Sequence, residues 1–263
     1  MSNIERTHQG VDANVPNAAR VYDYFIGGDN YHTADRTQAE QMQAIAPQIH
    51  ATAAAHREVA LRGTRAAAEA GVRQFIDIGA GMPISPAVHE IAQAIHPDAR
   101  VVSIDNDPVV HAHSMASMAG LPSVTPMFAD LRRPDELIDR LRADELVDFA
   151  EPAAIVLAGV VNFVMDEEHP HDIVARLRDE LAPGSYLLLT HATDDTHPAV
   201  QELAEYSRGT PAQFAYRSPA AVRAFFEGFD VLAPGVVPVE TWLDPEASAG
   251  PVVFLVGLGR KPV

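Results

Sequence analysis

From residue 72 onward the chain alternates short apolar runs with longer amphipathic stretches, and nothing else in the sequence restricts the fold as strongly. The runs are QFIDIG, RVVSID, VTPMF, AAIVLAG and YLLLTHA. Between the first two, SPAVHEIAQAIHP sets Val88, Ile91, Ala92 and Ile95 on one helical face, at offsets 0, 3, 4 and 7. After the fourth, HDIVARLRDELAPG turns Ile173, Val174, Leu177 and Leu181 inward in the same way. Strands separated by helices of roughly 10–15 residues form parallel βαβ units with right-handed crossovers. Near-continuous apolar strands fit a sheet covered on both faces. The pattern changes after SPAAVRAFFEGF, a predicted helix with Ser218 as N-cap and Pro219 at its first position. DVLAPGVVPVETW and VVFLVGLGRK then read as two strands joined only by the turn-rich LDPEASAGP. Such a pair is expected to be antiparallel, so the parallel sheet ends in a hairpin.

The region before residue 72 is helical in pattern. PNAARVYDYFIGG opens at Pro16 and stops at Gly27-Gly28; TADRTQAEQMQAIAP and the alanine-rich PQIHATAAAHREVALRGTRAAAEAG follow. Residues 1–15 are polar and expected to be loose. The expected division is an N-terminal helical cap, 1–71, and a ligand-binding sheet domain, 72–263, within a length suited to one α/β domain plus an appendage.

Composition excludes several classes. A net charge of -17, from 36 acidic against 19 basic residues, leaves no basic face to displace counterions from phosphates. Neither a nucleic acid nor an anionic membrane surface is expected as partner. The absence of cysteine rules out disulfides, zinc–thiolate sites and a cysteine nucleophile. AAIVLAGVVNFVM, 13 residues, is short of the ~20 that a membrane span needs. MSNIERTHQG lacks the apolar core of a signal peptide, so a cytoplasmic location is expected. His111 and His113 would diverge on a helix, and His169 and His171 stand at a helix start, so no metal site is expected.

QFIDIGAG places a glycine turn at the end of the first strand, where doubly wound sheets bind ligands. Gly79 and Gly81 match the start of the dinucleotide fingerprint G-x-G-x-x-G, but Ile84 stands where the third glycine belongs and Pro83 lies inside the turn. Asp77, just before the turn, would repel a pyrophosphate. It suits a ligand carrying an ammonium and a sulfonium. Asp105 ends the second strand, where an acid accepts hydrogen bonds from both ribose hydroxyls of an adenosine. Asp130 ends the third strand, within reach of an adenine amino group.

FIDIGAGMP, RVVSIDNDPVV, FADLRRP, DFAEPAAIVLAGVVNFVMD and LRDELAPGSYLLLTH resemble the class I S-adenosylmethionine-dependent methyltransferases. With PNAARVYDYFIGGDNYHTADR they resemble one actinobacterial family, the S-adenosyl methyltransferases long carried as a domain of unknown function. The resemblance covers about residues 14–260. It implies a Rossmann-like α/β fold, a seven-stranded mostly parallel sheet with an antiparallel last strand, preceded by a helical cap. It implies S-adenosylmethionine as cofactor and S-adenosylhomocysteine as product. Asp77, Gly79 and Gly81 would surround the methionine part, Asp105 would hold the ribose, Asp130 and Leu131 the adenine, and Ala80 and Asn106 would also contact the cofactor. Gly159 and Val160 would line the crevice after the fourth strand. By analogy RVYDYFIGGDNY would fold over the cofactor, bringing Arg20, Tyr24, Gly27, Gly28, Asn30 and Tyr31 to it. The family often has His where this chain has Asn162.

Methyl transfer is an in-line displacement with a good leaving group already in place, so a protein supplies mainly alignment and desolvation. A general base is needed only if the acceptor must lose a proton. By position the candidates are Tyr24, Tyr31 and His32 in the cap, Asn162 after strand four and His191 ending strand five; packing or cofactor contact accounts for each as well. The expected function is methyl transfer to a small molecule. A cofactor-binding sensor without turnover is the alternative, and Ile84 with Asp77 disfavours a nicotinamide oxidoreductase. Residues 194–217 are long and polar for a connection, as a lid over an acceptor pocket would be.

Overall fold

A computed structural model of the chain describes residues 12–194, 198–210, 212–250 and 252–263. β1 (Gln74–Ile78) lies between β2 (Arg100–Asp105) and β4 (Ala154–Ala158), parallel to both. β3 (Val124–Phe128) flanks β2 and β5 (Tyr186–Ala192) flanks β4, again in parallel. β8 (Phe254–Arg260) runs antiparallel beside β5 and carries the two-residue strands β6 (Asp230–Val231) and β7 (Val237–Pro238) on its other edge. The order is β3-β2-β1-β4-β5-β8-β6, a mostly parallel sheet whose last strands are reversed.

Side chains alternate across a strand, so each strand feeds two cores. Ile76, Ile78, Ile104, Ile155, Leu157, Leu187 and Leu189 face α6 (Pro134–Ala143), α7 (Pro170–Glu180) and α9 (Pro219–Ala224). Their neighbours Phe75, Val101, Ala154, Val156, Tyr186 and Leu188 face α3 (Ile49–Glu69), α4 (Val88–Ile95) and α10 (Val239–Leu243). Each large apolar side chain fully buried this way stabilises the fold by ~1.5–3 kcal/mol. α3 seats closely because Gly63 faces Leu188; a Cβ there would come within 2.7 Å of the leucine methyls. α5 (Pro108–Ser117) packs on β2 and β3.

α1 (Ala18–Phe25) and α2 (Thr33–Ile45) lie beyond α3. A buried ion pair joins them: Arg20 Nε donates to Asp35 Oδ2 at 2.7 Å. Asp35 also accepts from the backbone N–H groups of Asn17 and His32, so its charge is fully engaged.

Two local expectations change, and a third is not tested. DVLAPGVVPVETW is not one strand but β6, β7 and the short α10, because its two Pro residues interrupt the ladder. The polar connection 194–217 contains a helix, α8 (Pro198–Ser207), which buries Ala199, Val200 and Leu203. The N-terminal stretch expected to be loose lies largely outside the described residues. Among the described residues no helix is long and apolar enough to cross a membrane, and no group of His, Asp and Glu could hold a metal ion.

Candidate functional site

At the C-terminal ends of β1 to β5 the sheet opens into a cavity of about 730 Å³, walled by α1, α3 and the segment that includes α8. That volume is in the range of small-molecule sites.

Its floor is the glycine turn. Gly79 and Gly81 adopt φ of +72° and +69°, a region that side chains with a Cβ rarely enter. Gly79 is also closed to side chains by space, since a Cβ would come within 2.6 Å of Val160. The N–H groups of Gly79 and Ala80 both donate to the Ile104 carbonyl, tying the turn to β2. From α3, Arg57 donates to the carbonyls of Ile84 and Pro86 and so fixes the far side of the turn.

Asp77 and Asp105 project into this floor from neighbouring strands. Burial, and secondarily the Asp105 charge, push the Asp77 carboxyl up to about 7, against the opposing pull of Arg57. Burial pushes Asp105 up to about 6, although its oxygens accept from Gly81 N–H (2.9 Å) and Asp107 N–H (3.0 Å). Two carboxylates with too little positive charge nearby make a wall that favours a cationic ligand. Asp130 differs: burial opposes its charge, but a bidentate contact with Arg132 holds it below the usual carboxylate range.

The cap reaches the cavity through Asn17, Arg20, Val21, Tyr22 and Phe25. Asn17 caps α1, its Oδ1 accepting from Arg20 N–H, while its amide donates to Asp107 at the start of α5. That bond links the cap to the far rim.

Of the residues singled out in the sequence, Arg20, Asp77, Gly79, Ala80, Gly81, Asp105, Asn106, Asp130, Leu131, Gly159 and Val160 line the cavity. Arg20 does so with its guanidinium committed to Asp35 and the Val15 carbonyl. Tyr24, Gly27, Gly28, Asn30, Tyr31 and His32 do not line it. About half a turn of helix separates the two outcomes: α1 presents Val21, Tyr22 and Phe25 inward and carries Tyr24 round to stack edge-on with Tyr31 and beside His50. Gly28 and Asn30 instead close on Asp23, whose Oδ2 accepts from Asn30 N–H. His32 precedes α2, its backbone N–H held by Asp35.

Asn162 and His191 are likewise away from the cavity, both fully buried. His191 shares its side of β5 with Leu187 and Leu189, the side opposite α3. There its Nε2 meets Arg217 Nη1 at 2.6 Å, and burial lowers it to about 3. Arg217 also donates to Asp166 and to the carbonyls of Val161 and Val164, so this cluster fastens the segment after β4. The neighbour of His191 in β5, Thr190, faces α3, on the same side of the strand as Leu188. Its hydroxyl lies 2.5 Å from Nε2 of His56, and His56 Nδ1 lies 3.1 Å from the Tyr22 hydroxyl. Burial lowers His56 to about 4 and raises the Tyr22 hydroxyl well above its ordinary value. Sequence reasoning missed this relay. The signal was a histidine in register with Thr52, Val59, Ala60 and Gly63 on the inward face of α3.

A β3-β2-β1-β4-β5 sheet with a reversed strand beside β5, a glycine turn after β1 and acids ending β1, β2 and β3 defines a Rossmann-like methyltransferase of class I type. The sequence profile of the S-adenosyl methyltransferases matches residues 4–262, and the chain belongs to that family, whose cofactor is S-adenosylmethionine. It is 36% identical to a candidate methyltransferase from Thermobifida fusca, over 96% of this chain and 97% of that one, with a TM-score of 0.89. It is 33% identical to a DUF574 family protein from Streptomyces avermitilis, over 95% and 99% of the two chains, again with a TM-score of 0.89. The N-methyltransferase NodS from Bradyrhizobium japonicum, solved with S-adenosylhomocysteine, is similar in fold alone: 15% identity over 79% of this chain and 87% of that one, TM-score 0.51. No curated protein sequence matched.

Proposed function

We propose that the chain transfers the methyl group of S-adenosylmethionine to a small molecule. The observation that carries this reading is the pair Asp77 and Asp105, short of positive charge, beside a glycine turn in a cavity of about 730 Å³. The residues fit the cofactor: its ammonium and sulfonium supply the charge that the pair lacks. Asp77 with Gly79, Ala80 and Gly81 would hold the methionine part, Asp105 the ribose hydroxyls, and Asn106, Asp130 and Leu131 the adenine. Gly159 and Val160 would border the reacting centre. When bound, the cofactor supplies an electrophilic methyl carbon on a sulfonium. The chain's own part is to orient, through the glycine turn, and to exclude water, through α1 and α3.

Residues 1–71 then act as the cap and residues 72–263 as the cofactor-binding domain, the Asn17–Asp107 bond holding one to the other. A sensor would seal the methyl carbon with core side chains. Instead the cavity continues past Gly159 to Phe163, Phe214 and Phe254, which favours turnover. The nicotinamide reading is not favoured, for the reasons Ile84 and Asp77 give. Titration calorimetry tests the proposal: S-adenosylhomocysteine should bind and NAD should bind much more weakly. Tighter binding of NAD would sink it.

A further inference from the structure

We propose that the part of the cavity beyond Gly159 seats the methyl acceptor, and that it takes an uncharged, planar aromatic molecule with one hydroxyl or ring N–H directed at the Tyr22 hydroxyl oxygen. The inference rests on the reading above, in which the cofactor occupies the acidic part.

The strand order separates the two parts. Asp130, Asp105 and Asp77 stand over β3, β2 and β1, one side of the sheet centre; Gly159, Thr190 and Phe254 stand over β4, β5 and β8, the other. Phe254 reaches the same edge because β8 is antiparallel and begins there, paired with Ala192.

The second part is walled by rings. Phe214 meets Phe163 edge-on at 5.2 Å, Tyr216 at 5.2 Å and Phe254 at 6.1 Å, and Phe254 meets the His56 imidazole at 5.1 Å. All five line the cavity. Rings that brace one another present a fixed shelf, and a planar aromatic guest gains offset or edge contacts there beyond its buried area.

Charge is missing from this shelf. Among the described residues, the lining from Phe163 to Phe254 holds no Asp, Glu, Lys or Arg; the charged lining residues belong to the ends of β1 to β3, the start of α5, the outer cap and α3, whose Arg57 is turned away to the carbonyls of Ile84 and Pro86. A charged acceptor would lose its hydration with no counter-charge to replace it. Polar side chains there, such as Ser207, Thr210, Gln213 and Tyr216, are uncharged, and so are His56 and Tyr22. Burial keeps the imidazole of His56 unprotonated near neutral pH and the Tyr22 hydroxyl protonated. The imidazole is seated by Thr190 on one side and by Gly159 below, where a Cβ would come within 3.1 Å of the His56 Cε1. With Nε2 on Thr190 and Nδ1 on Tyr22, the imidazole holds the Tyr22 hydroxyl in place, and the Tyr22 oxygen keeps a lone pair for a guest donor at the end of the aromatic slot.

The test uses the full chain saturated with S-adenosylhomocysteine and four probes: 2-naphthol, 2-naphthoate, the saturated alcohol 2-decalol and naphthalene, with affinities read by ligand-observed NMR titration. The expected result is binding of 2-naphthol, with the anion and the saturated alcohol at least tenfold weaker. Phe214→Leu and Phe254→Leu should each weaken 2-naphthol roughly 2- to 10-fold, with S-adenosylhomocysteine affinity held within twofold. Tyr22→Phe should reduce the preference for 2-naphthol over naphthalene, a ratio that a purely structural role would leave alone. Equal or tighter binding of 2-naphthoate, or 2-naphthol affinity unmoved in both Phe variants, overturns the proposal. Failure of the wild-type chain to bind S-adenosylhomocysteine overturns the underlying reading and this one with it; binding of S-adenosylhomocysteine without preference for 2-naphthol overturns this one alone.

Discussion

The Asn17 side-chain amide donates to the Asp107 carboxylate across 90 residues of chain, and so bridges the two rims of the cavity. Asp107 is already committed as the cap of α5, accepting from Val109 and Val110 N–H groups. Each residue therefore ends one helix and holds the other's. Asn17→Asp separates these duties. Aspartate caps a helix as well as asparagine does, but it places a second carboxylate against Asp107. The expected outcome is a melting temperature within a few degrees of the parent and dissociation of S-adenosylhomocysteine at least fivefold faster by stopped-flow displacement. An unchanged dissociation rate would show that the bridge does not hold the cap over the ligand.

Asp105→Ala should weaken S-adenosylhomocysteine by about 10- to 100-fold, since hydrogen bonds to a charged group are worth ~1.5–3 kcal/mol. Part of the loss comes through the turn, because Gly81 N–H loses its acceptor. Calorimetry gives the affinity and circular dichroism the fold. Affinity equal to the parent would reduce Asp105 to a turn anchor.

Asp77 predicts a pH dependence of stability. Its folded-state pKa, about 7, lies above the unfolded value near 3.9, so the folded chain keeps the proton longer. The unliganded protein accordingly loses stability as pH rises from ~4 to ~7. His56 and His191, lowered by burial, act in the other direction and destabilise as pH falls below ~6.5. The informative quantity is therefore the difference between Asp77→Asn and the parent. At pH 8 the variant should be more stable by about 2 kcal/mol, or ~4–8 °C in Tm, with the gap closing by pH 4. Thermal melts in the absence of ligand measure it, and a gap independent of pH would refute it.

Gly28→Val should fail in folding rather than in binding. A Cβ at Gly28 would overlap the Asp23 carboxylate, which is itself buried and holds Asn30. The variant should melt at least 5 °C below the parent, while whatever remains folded binds S-adenosylhomocysteine normally. Lost affinity with an unchanged melt would bring residues 27–31 back to the ligand.

The sheet and the acidic strand ends were legible because they rest on two strong periodicities and on the place where a doubly wound sheet opens. The cap was legible as helices but not in its rotation. Tyr22 and Tyr24 sit two residues apart on α1, and the sequence alone does not say which of them turns toward the sheet. His191 and Thr190 pose the same problem in β5, where every residue is buried and the apolar pattern cannot tell the ligand side from the core side. Asn162 stands out in the sequence by its position after β4, yet the short helical turn there points it at Ala215 and His191. His56 left a visible mark, a lone imidazole on an apolar helix face, but its partners come from distant elements.

His56 and Thr190 stand 134 residues apart in the chain. At ~5–20 residues per second the imidazole leaves the ribosome on the order of 10 s before the hydroxyl that receives it. The strands that α3 packs against, β4, β5 and β8, all come late in the chain, so for most of that interval its inner face lacks the sheet that covers it. Nascent chains halted before β5 should therefore be poor binders of any acceptor, however complete their glycine turn.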